Sequence, residues 1–168
     1  MTDSRPIRVL LVDDDEEDYL ISRDLLHDVE SGPGFRLEWV ARYEDALAAV
    51  KRAEHGVYLL DYRLGDRDGL ELLREARQLG CGAPMILLTG QGDREVDLQA
   101  MAAGATDYLV KGEINAPLLE RSIRYAIERS RVEQLRQSLV APPPASFGGL
   151  LPRSKNRPSG SCSMTRAS

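Results

Sequence analysis

Long apolar runs are missing from this 168-residue sequence, and no segment approaches the roughly 18–20 consecutive apolar residues that a membrane span requires. No leader-like segment opens it either: Met-Thr-Asp-Ser-Arg-Pro passes straight into a strand-like run, so neither export nor membrane anchoring is expected. Cysteine is scarce. Cys81 and Cys162 stand far apart in dissimilar surroundings, which excludes a disulfide framework and paired metal-binding spacings, and a reducing, cytoplasmic setting is expected. Acid is absent from residues 141–168, where Arg153, Lys155, Arg157 and Arg166 stand, so the net charge of −5 conceals −9 on residues 1–140. An acidic body opposes binding to nucleic acid, and four basic residues in a short tail argue for it only weakly, so no nucleic-acid partner is expected.

What is present is enough apolar sequence for one core. Hydrophobic residues make up 42% and charged residues 29%, close to a globular average, and the length suits one domain with some extra chain. Strand-like and helix-like patterns alternate. Ile7 to Val12 is a short apolar run, and after Asp13-Asp14-Asp15 comes a stretch with Tyr19, Leu20, Leu25, Leu26 and Val29 at helical spacing. Gly32-Pro33-Gly34 breaks the chain, Phe35 to Val40 alternates apolar with polar, and Ala46, Leu47, Val50 and Ala53 resume a helical stripe. Val57 to Leu60 leads to Asp61 and a Gly- and Asp-rich loop, then Leu70, Leu72, Leu73 and Ala76 mark a helix ended by Gly80. Met85 to Leu88 leads to Thr89 and a helix from about Asp93 to Ala103; Tyr108 to Val110 leads to Lys111 and a last helix capped by Asn115, two residues before Pro117. Five such repeats predict an α/β fold: a doubly wound, five-stranded parallel sheet covered by helices on both faces.

The last helix is expected to run on over residues 131–140. Val132, Leu135 and Leu139 could begin a coiled-coil seam, and a second copy of the chain is a candidate partner; a solvated helix end accounts for the same residues. Pro142-Pro143-Pro144 ends any helix, and the Pro, Gly, Ser and Arg of residues 141–168 predict a disordered tail.

In an open parallel sheet, residues just past the carboxyl ends of the strands gather along one edge, where ligands bind. Those positions are held by Asp13 and Asp14, Asp61, Thr89 and Lys111. Three carboxylates gathered at one edge are tolerable only with a shared proton or cation, and hard oxygen ligands favour magnesium. Thr89 and Lys111 supply the hydroxyl and the compact ammonium that a tetrahedral oxyanion needs on its remaining oxygens.

Four segments, Leu-Leu-Val-Asp13-Asp14-Asp, Leu-Leu-Asp61-Tyr-Arg-Leu-Gly-Asp-Arg-Asp-Gly69, Ile-Leu-Leu-Thr89-Gly and Gly104-Ala-Thr-Asp-Tyr108-Leu-Val-Lys111, together resemble the receiver domain of two-component response regulators, with its flavodoxin-like (βα)5 fold, over residues 5–130. The resemblance implies that Asp61 is a phosphoacceptor served by a sensor histidine kinase or phosphotransfer protein. It implies Mg2+ held directly by Asp14, partly through water by Asp13, and by Asp61 and the backbone carbonyl of Arg63. Thr89 would hydrogen-bond the phosphoryl group, Lys111 would pair with it, and Tyr108 would be the aromatic that turns inward on switching. Such a protein is a switch, catalysing only its own phosphorylation and dephosphorylation. No output module is recognisable after the receiver, so an unidentified downstream protein is expected to carry the output. Two positions depart from the family's habit, Gly112 after Lys111 and Gly65 after Asp61, where proline is common; neither bears a chemical role. Arg63 and Gln91 fall where side chains influence phosphate lifetime.

Rival readings are weaker. A phosphatase of the haloacid-dehalogenase type would recruit Asp13, Asp15, Thr89 and Lys111, but it leaves Asp61 idle and lacks the acidic pair that family places after its lysine. Asp66, Asp68, Gly69 and Glu75 imitate part of a calcium loop, although Leu64 occupies its first ligand position, and a turn with a helix cap is expected instead. Asp15, Glu16, Glu17 and Asp18 read as a solvated helix start, since acids favour the positive end of a helix. His27 and His55 read as structural or solvated.

Overall fold

The computed structural model describes residues 5–29, 34–90 and 94–139. In chain order the elements are β1 (Ile7–Val12), α1 (Glu16–His27), β2 (Phe35–Val40), α2 (Tyr43–Arg52), β3 (Val57–Asp61), β4 (Arg63–Leu64), β5 (Arg67–Asp68), α3 (Gly69–Gln78), β6 (Met85–Thr89), α4 (Arg94–Ala103), β7 (Asp107–Val110), a 3₁₀ turn (Lys111–Glu113) and α5 (Ala116–Leu139). Five strands form a parallel sheet in the order β2-β1-β3-β6-β7. This is the doubly wound α/β sheet that the alternation predicts. Its order reverses between β1 and β3, opening a crevice at their carboxyl ends.

Alternation along each strand builds two cores, because successive side chains leave opposite faces of a sheet. Val9, Leu11, Leu59, Ile86 and Leu88 pack with Leu26, Leu119 and Ile123 of α1 and α5. Leu10, Val12, Tyr58, Leu60 and Leu87 pack with Ala46, Leu73 and Ala100 of α2, α3 and α4. Strands covered on both faces must be apolar throughout, which is why they read as short continuous runs. Polar caps fix where helices begin: Asp15 accepts from the Glu17 N–H, Asp68 from the Glu71 N–H at 2.8 Å, and Asn115 from the Leu118 N–H at 2.9 Å. Each such cap contributes about 1 kcal/mol.

The segment after Asp61, expected as a loop, closes into a small antiparallel hairpin in which Arg63 pairs with Asp68 and Leu64 with Arg67. Gly65 opens its two-residue turn at φ +66, a left-handed conformation that glycine adopts without a Cβ clash. The Arg67 guanidinium lies 3.6 Å above the Tyr43 ring, and the Tyr43 hydroxyl donates to Glu75 Oε2 at 2.6 Å, fastening the hairpin to α2 and α3.

Helix α5 continues well past its buried contacts. Ser130 Oγ donates to the Gly82 carbonyl at 3.1 Å, holding the second half of the helix against the turn before β6. Tyr125, Val132, Leu135 and Leu139 form an exposed stripe along the helix. No helix is long and apolar enough to cross a membrane among the described residues. The expected tail, the Gly32-Pro33 break and Gln91 lie outside those residues.

Candidate functional site

Asp13 and Asp14 follow β1, Asp61 ends β3, Thr89 ends β6 and Lys111 follows β7. Parallel register brings these ends side by side: Val12 lies opposite Leu60, Asp61 opposite Leu88, and Thr89 opposite Val110. Asp14, Asp61, Thr89 and Lys111 line a cavity of about 730 Å³ together with Asp18, Tyr62, Arg63 and Val96.

Asp13 is wholly buried beneath the cavity and engaged through each of its polar groups. Its Oδ1 accepts from the Asp15 N–H at 2.9 Å, and its Oδ2 from Lys111 Nζ at 2.9 Å. Its carbonyl accepts from the Trp39 indole at 2.8 Å, while its own N–H donates to the Val40 carbonyl at 3.1 Å. Asp14, next in sequence, is exposed. Lys111 Nζ lies 3.1 Å from Asp61 Oδ1 and also ion-pairs with Asp18. Thr89 is buried, and its hydroxyl reaches only the Leu109 carbonyl at 3.5 Å, a marginal hydrogen bond that leaves it free to turn.

Burial pushes the Asp13 carboxyl up to about 7, against the opposing pull of Lys111 and the Asp15 N–H, and the neighbouring Asp61 charge pushes the same way. Asp61 is raised too, chiefly by burial and despite Lys111. For Lys111, burial acts to lower the ammonium, but hydrogen bonds to Asp18 and Asp13 and the field of Asp61 outweigh it, so it is held above its ordinary value and stays charged. Both carboxyl shifts arise from burial that Lys111 only partly offsets. Asp13, Asp14 and Asp61 can each offer one carboxylate oxygen within 4.8 Å of the others. Hard oxygen donors so arranged fit a small divalent cation such as magnesium.

The profile of the response regulator receiver domain family matches residues 9–123. The chain belongs to this family. Among its relatives, the C4-dicarboxylate transport transcriptional regulatory protein DctD of Rhizobium meliloti is 33% identical over 142 residues, covering 84% of this chain and 30% of DctD. The transcriptional regulatory protein FixJ of Rhizobium meliloti is 36% identical over 97 residues, covering 58% of this chain and 45% of FixJ. The chain thus spans under a third of DctD and under half of FixJ. A CheY-like receiver domain protein from Methanospirillum hungatei has a solved structure that matches with a TM-score of 0.66 at 28% identity, covering 76% of this chain and 98% of that one. NtrX from Brucella abortus matches with a TM-score of 0.69 at 26% identity, covering 80% of this chain and 29% of NtrX.

Within the receiver fold, the five strand-end residues named from the sequence meet at one place. Arg63 borders the cavity from the hairpin, and Tyr108 sits on β7 partly buried against the core under α4. Asp18 corrects an expectation: it is half-buried and paired with Lys111, not a solvated helix acid. The cause is where the helix starts: Asp18 stands in the first turn of α1, which opens directly beside the strand ends, and borders the cavity there. Asp15 caps α1 and also borders the cavity, Asp68 caps α3, and among the described residues the acids placed to share an ion are Asp13, Asp14 and Asp61, not those of the calcium-loop reading. His27 is exposed in the last turn of α1, and the buried His55 side chain shares a 2.8 Å hydrogen bond with Glu38, both far from any nucleophilic role. Trp39, which sequence reasoning passed over, stacks on Tyr19 with ring centroids 4.9 Å apart and braces the Asp13 backbone.

Proposed function

We propose that the chain accepts a phosphoryl group on Asp61 from a phosphohistidine of a sensor histidine kinase or phosphotransfer protein, and that the modified state offers a changed surface to a downstream protein. The observation that carries this reading is the Lys111 ammonium 3.1 Å from Asp61 Oδ1, at the wall of an open cavity that Thr89 also lines. In the transfer, an Asp61 carboxylate oxygen bonds to phosphorus as the phosphorus–nitrogen bond breaks and the imidazole departs with the bonding pair. Lys111 offsets charge on the phosphoryl oxygens. The acyl phosphate later hydrolyses, which returns Asp61 and makes the chain a switch and not a turnover catalyst.

Mg2+, when bound, would supply the remaining positive charge that the transferring group requires. Asp14 is free to ligate it directly. Asp13, with both carboxylate oxygens already engaged by Asp15 and Lys111, is suited to hold it through water. Asp61 and the Arg63 carbonyl would complete the protein's share. Thr89, weakly held at 3.5 Å, would swing to a phosphoryl oxygen and vacate space into which Tyr108 turns, biasing a two-state surface over α4 and β7.

Intact mass after incubation with acetyl phosphate and magnesium tests the proposal. The wild type is expected to gain one phosphoryl group and Asp61→Asn none. A wild type that gains nothing under conditions that label a control receiver refutes it in favour of a phosphate-independent binding module, and release of phosphate from simple esters would point to the phosphatase.

A further inference from the structure

Asp18 has no part in the chemistry above, yet its carboxylate touches the lysine that faces Asp61. It lies in the first turn of α1 with about a third of its side chain exposed, and lines the same cavity as Asp61, Thr89 and Lys111. An ammonium has three N–H donors. Lys111 donates to Asp18 and to Asp13 at 2.9 Å, and its ammonium also lies 3.1 Å from Asp61 Oδ1 as an ion pair. A phosphoryl oxygen arriving on Asp61 therefore meets an ammonium whose charge is already shared with Asp18 and Asp13. Asp13 and Asp61 belong to the group of carboxylates placed to share a divalent ion, which would offset their charge; Asp18 stands outside that group and keeps its full claim on the lysine.

We propose that Asp18 is a positioning residue: it holds the Lys111 ammonium toward α1 and competes with a phosphoryl group on Asp61 for it. The inference rests on the phosphoacceptor reading. The competition sets how much of the lysine's charge reaches the phosphoryl group, and so how firmly the modified state is held. A bland role is also available to an acid in this position, since a carboxylate in the first turn favours the helix dipole. That role touches stability alone and needs no lysine.

The test is a double-mutant cycle read by affinity for fluoroberyllate, a tetrahedral phosphoryl mimic, in the presence of magnesium. Trp39, the single tryptophan, donates its indole N–H to the Asp13 carbonyl and provides the fluorescence signal. Asp18→Asn is expected to tighten binding about fivefold, the scale of a partly screened ion pair. Asp18→Glu, which keeps the charge, should stay near wild type, and in a Lys111→Ala background Asp18→Asn should change nothing. A second readout uses metal-free protein: the ammonium protons of Lys111, followed by nitrogen–proton NMR, should exchange with water faster in Asp18→Asn. Unchanged or weaker fluoroberyllate binding in Asp18→Asn overturns the proposal, as does an equal effect without the lysine. If the wild type binds no fluoroberyllate and takes no phosphoryl group, the phosphoacceptor reading fails and the competition with it, even where the NMR readout establishes the Asp18–Lys111 pair.

Discussion

Gly69, the first residue of α3, should be the least replaceable residue near Asp61 that bears no chemistry. Its N–H donates to the Tyr62 carbonyl at 2.8 Å, pulling the start of the helix against the strand end. A Cβ at Gly69 would lie 2.3 Å from the Asp61 carbonyl oxygen, 3.1 Å from the Asp61 carbonyl carbon and 3.1 Å from Leu87 Cδ1. Contacts below 3.0 Å essentially do not occur, so Gly69→Ala must move the helix start or the Asp61 backbone by at least about 0.7 Å. Two costs follow. Overpacking of this kind destabilises by about 1–3 kcal/mol. A reacting group displaced by about 1 Å loses on the order of 10²-fold in rate. Urea denaturation measures the first, and the rate of mass gain from acetyl phosphate with magnesium measures the second, under conditions where the variant is still folded. If Gly69→Ala keeps wild-type stability and labels at the wild-type rate, the close approach does not position Asp61 and the reasoning is wrong.

Two further outcomes are expected. Trp39→Phe keeps a ring to stack on Tyr19 but removes the donor to the buried Asp13 carbonyl, a loss expected to cost about 1–3 kcal/mol and to weaken magnesium binding; wild-type values in urea denaturation and in a calorimetric magnesium titration would show the contact to be incidental. Because burial raises the Asp13 carboxyl from 3.8 to about 7, folding favours its protonated form, so the stability it contributes is complete below about pH 4 and lost as pH rises through about 7. Metal-free Asp13→Asn should accordingly gain in thermal stability relative to wild type across that window; a difference that does not change with pH would refute the assignment.

The amino-acid order alone determined the repeating strand and helix pattern and the residues at each strand end, because hydrophobic periodicity is a local property and the polar residue that stops a buried strand is visible as a break in it. The same local logic located the caps at Asp68 and Asn115. The hairpin after Asp61 was not legible, since two-residue strands are too short to show a period, and Gly65 announces a turn without saying that its flanks will pair. Only the tertiary structure decided which charges meet across the chain. Lys111 is 93 residues from Asp18, and Trp39 is 26 from Asp13; neither distance leaves a trace in local sequence. Parallel strands joined by crossover helices bring such residues together at one edge, and there burial makes their charges interact strongly enough to matter. The sequence named the five residues at the strand ends, and the fold added the carboxylate that restrains the lysine and the indole that steadies the aspartate.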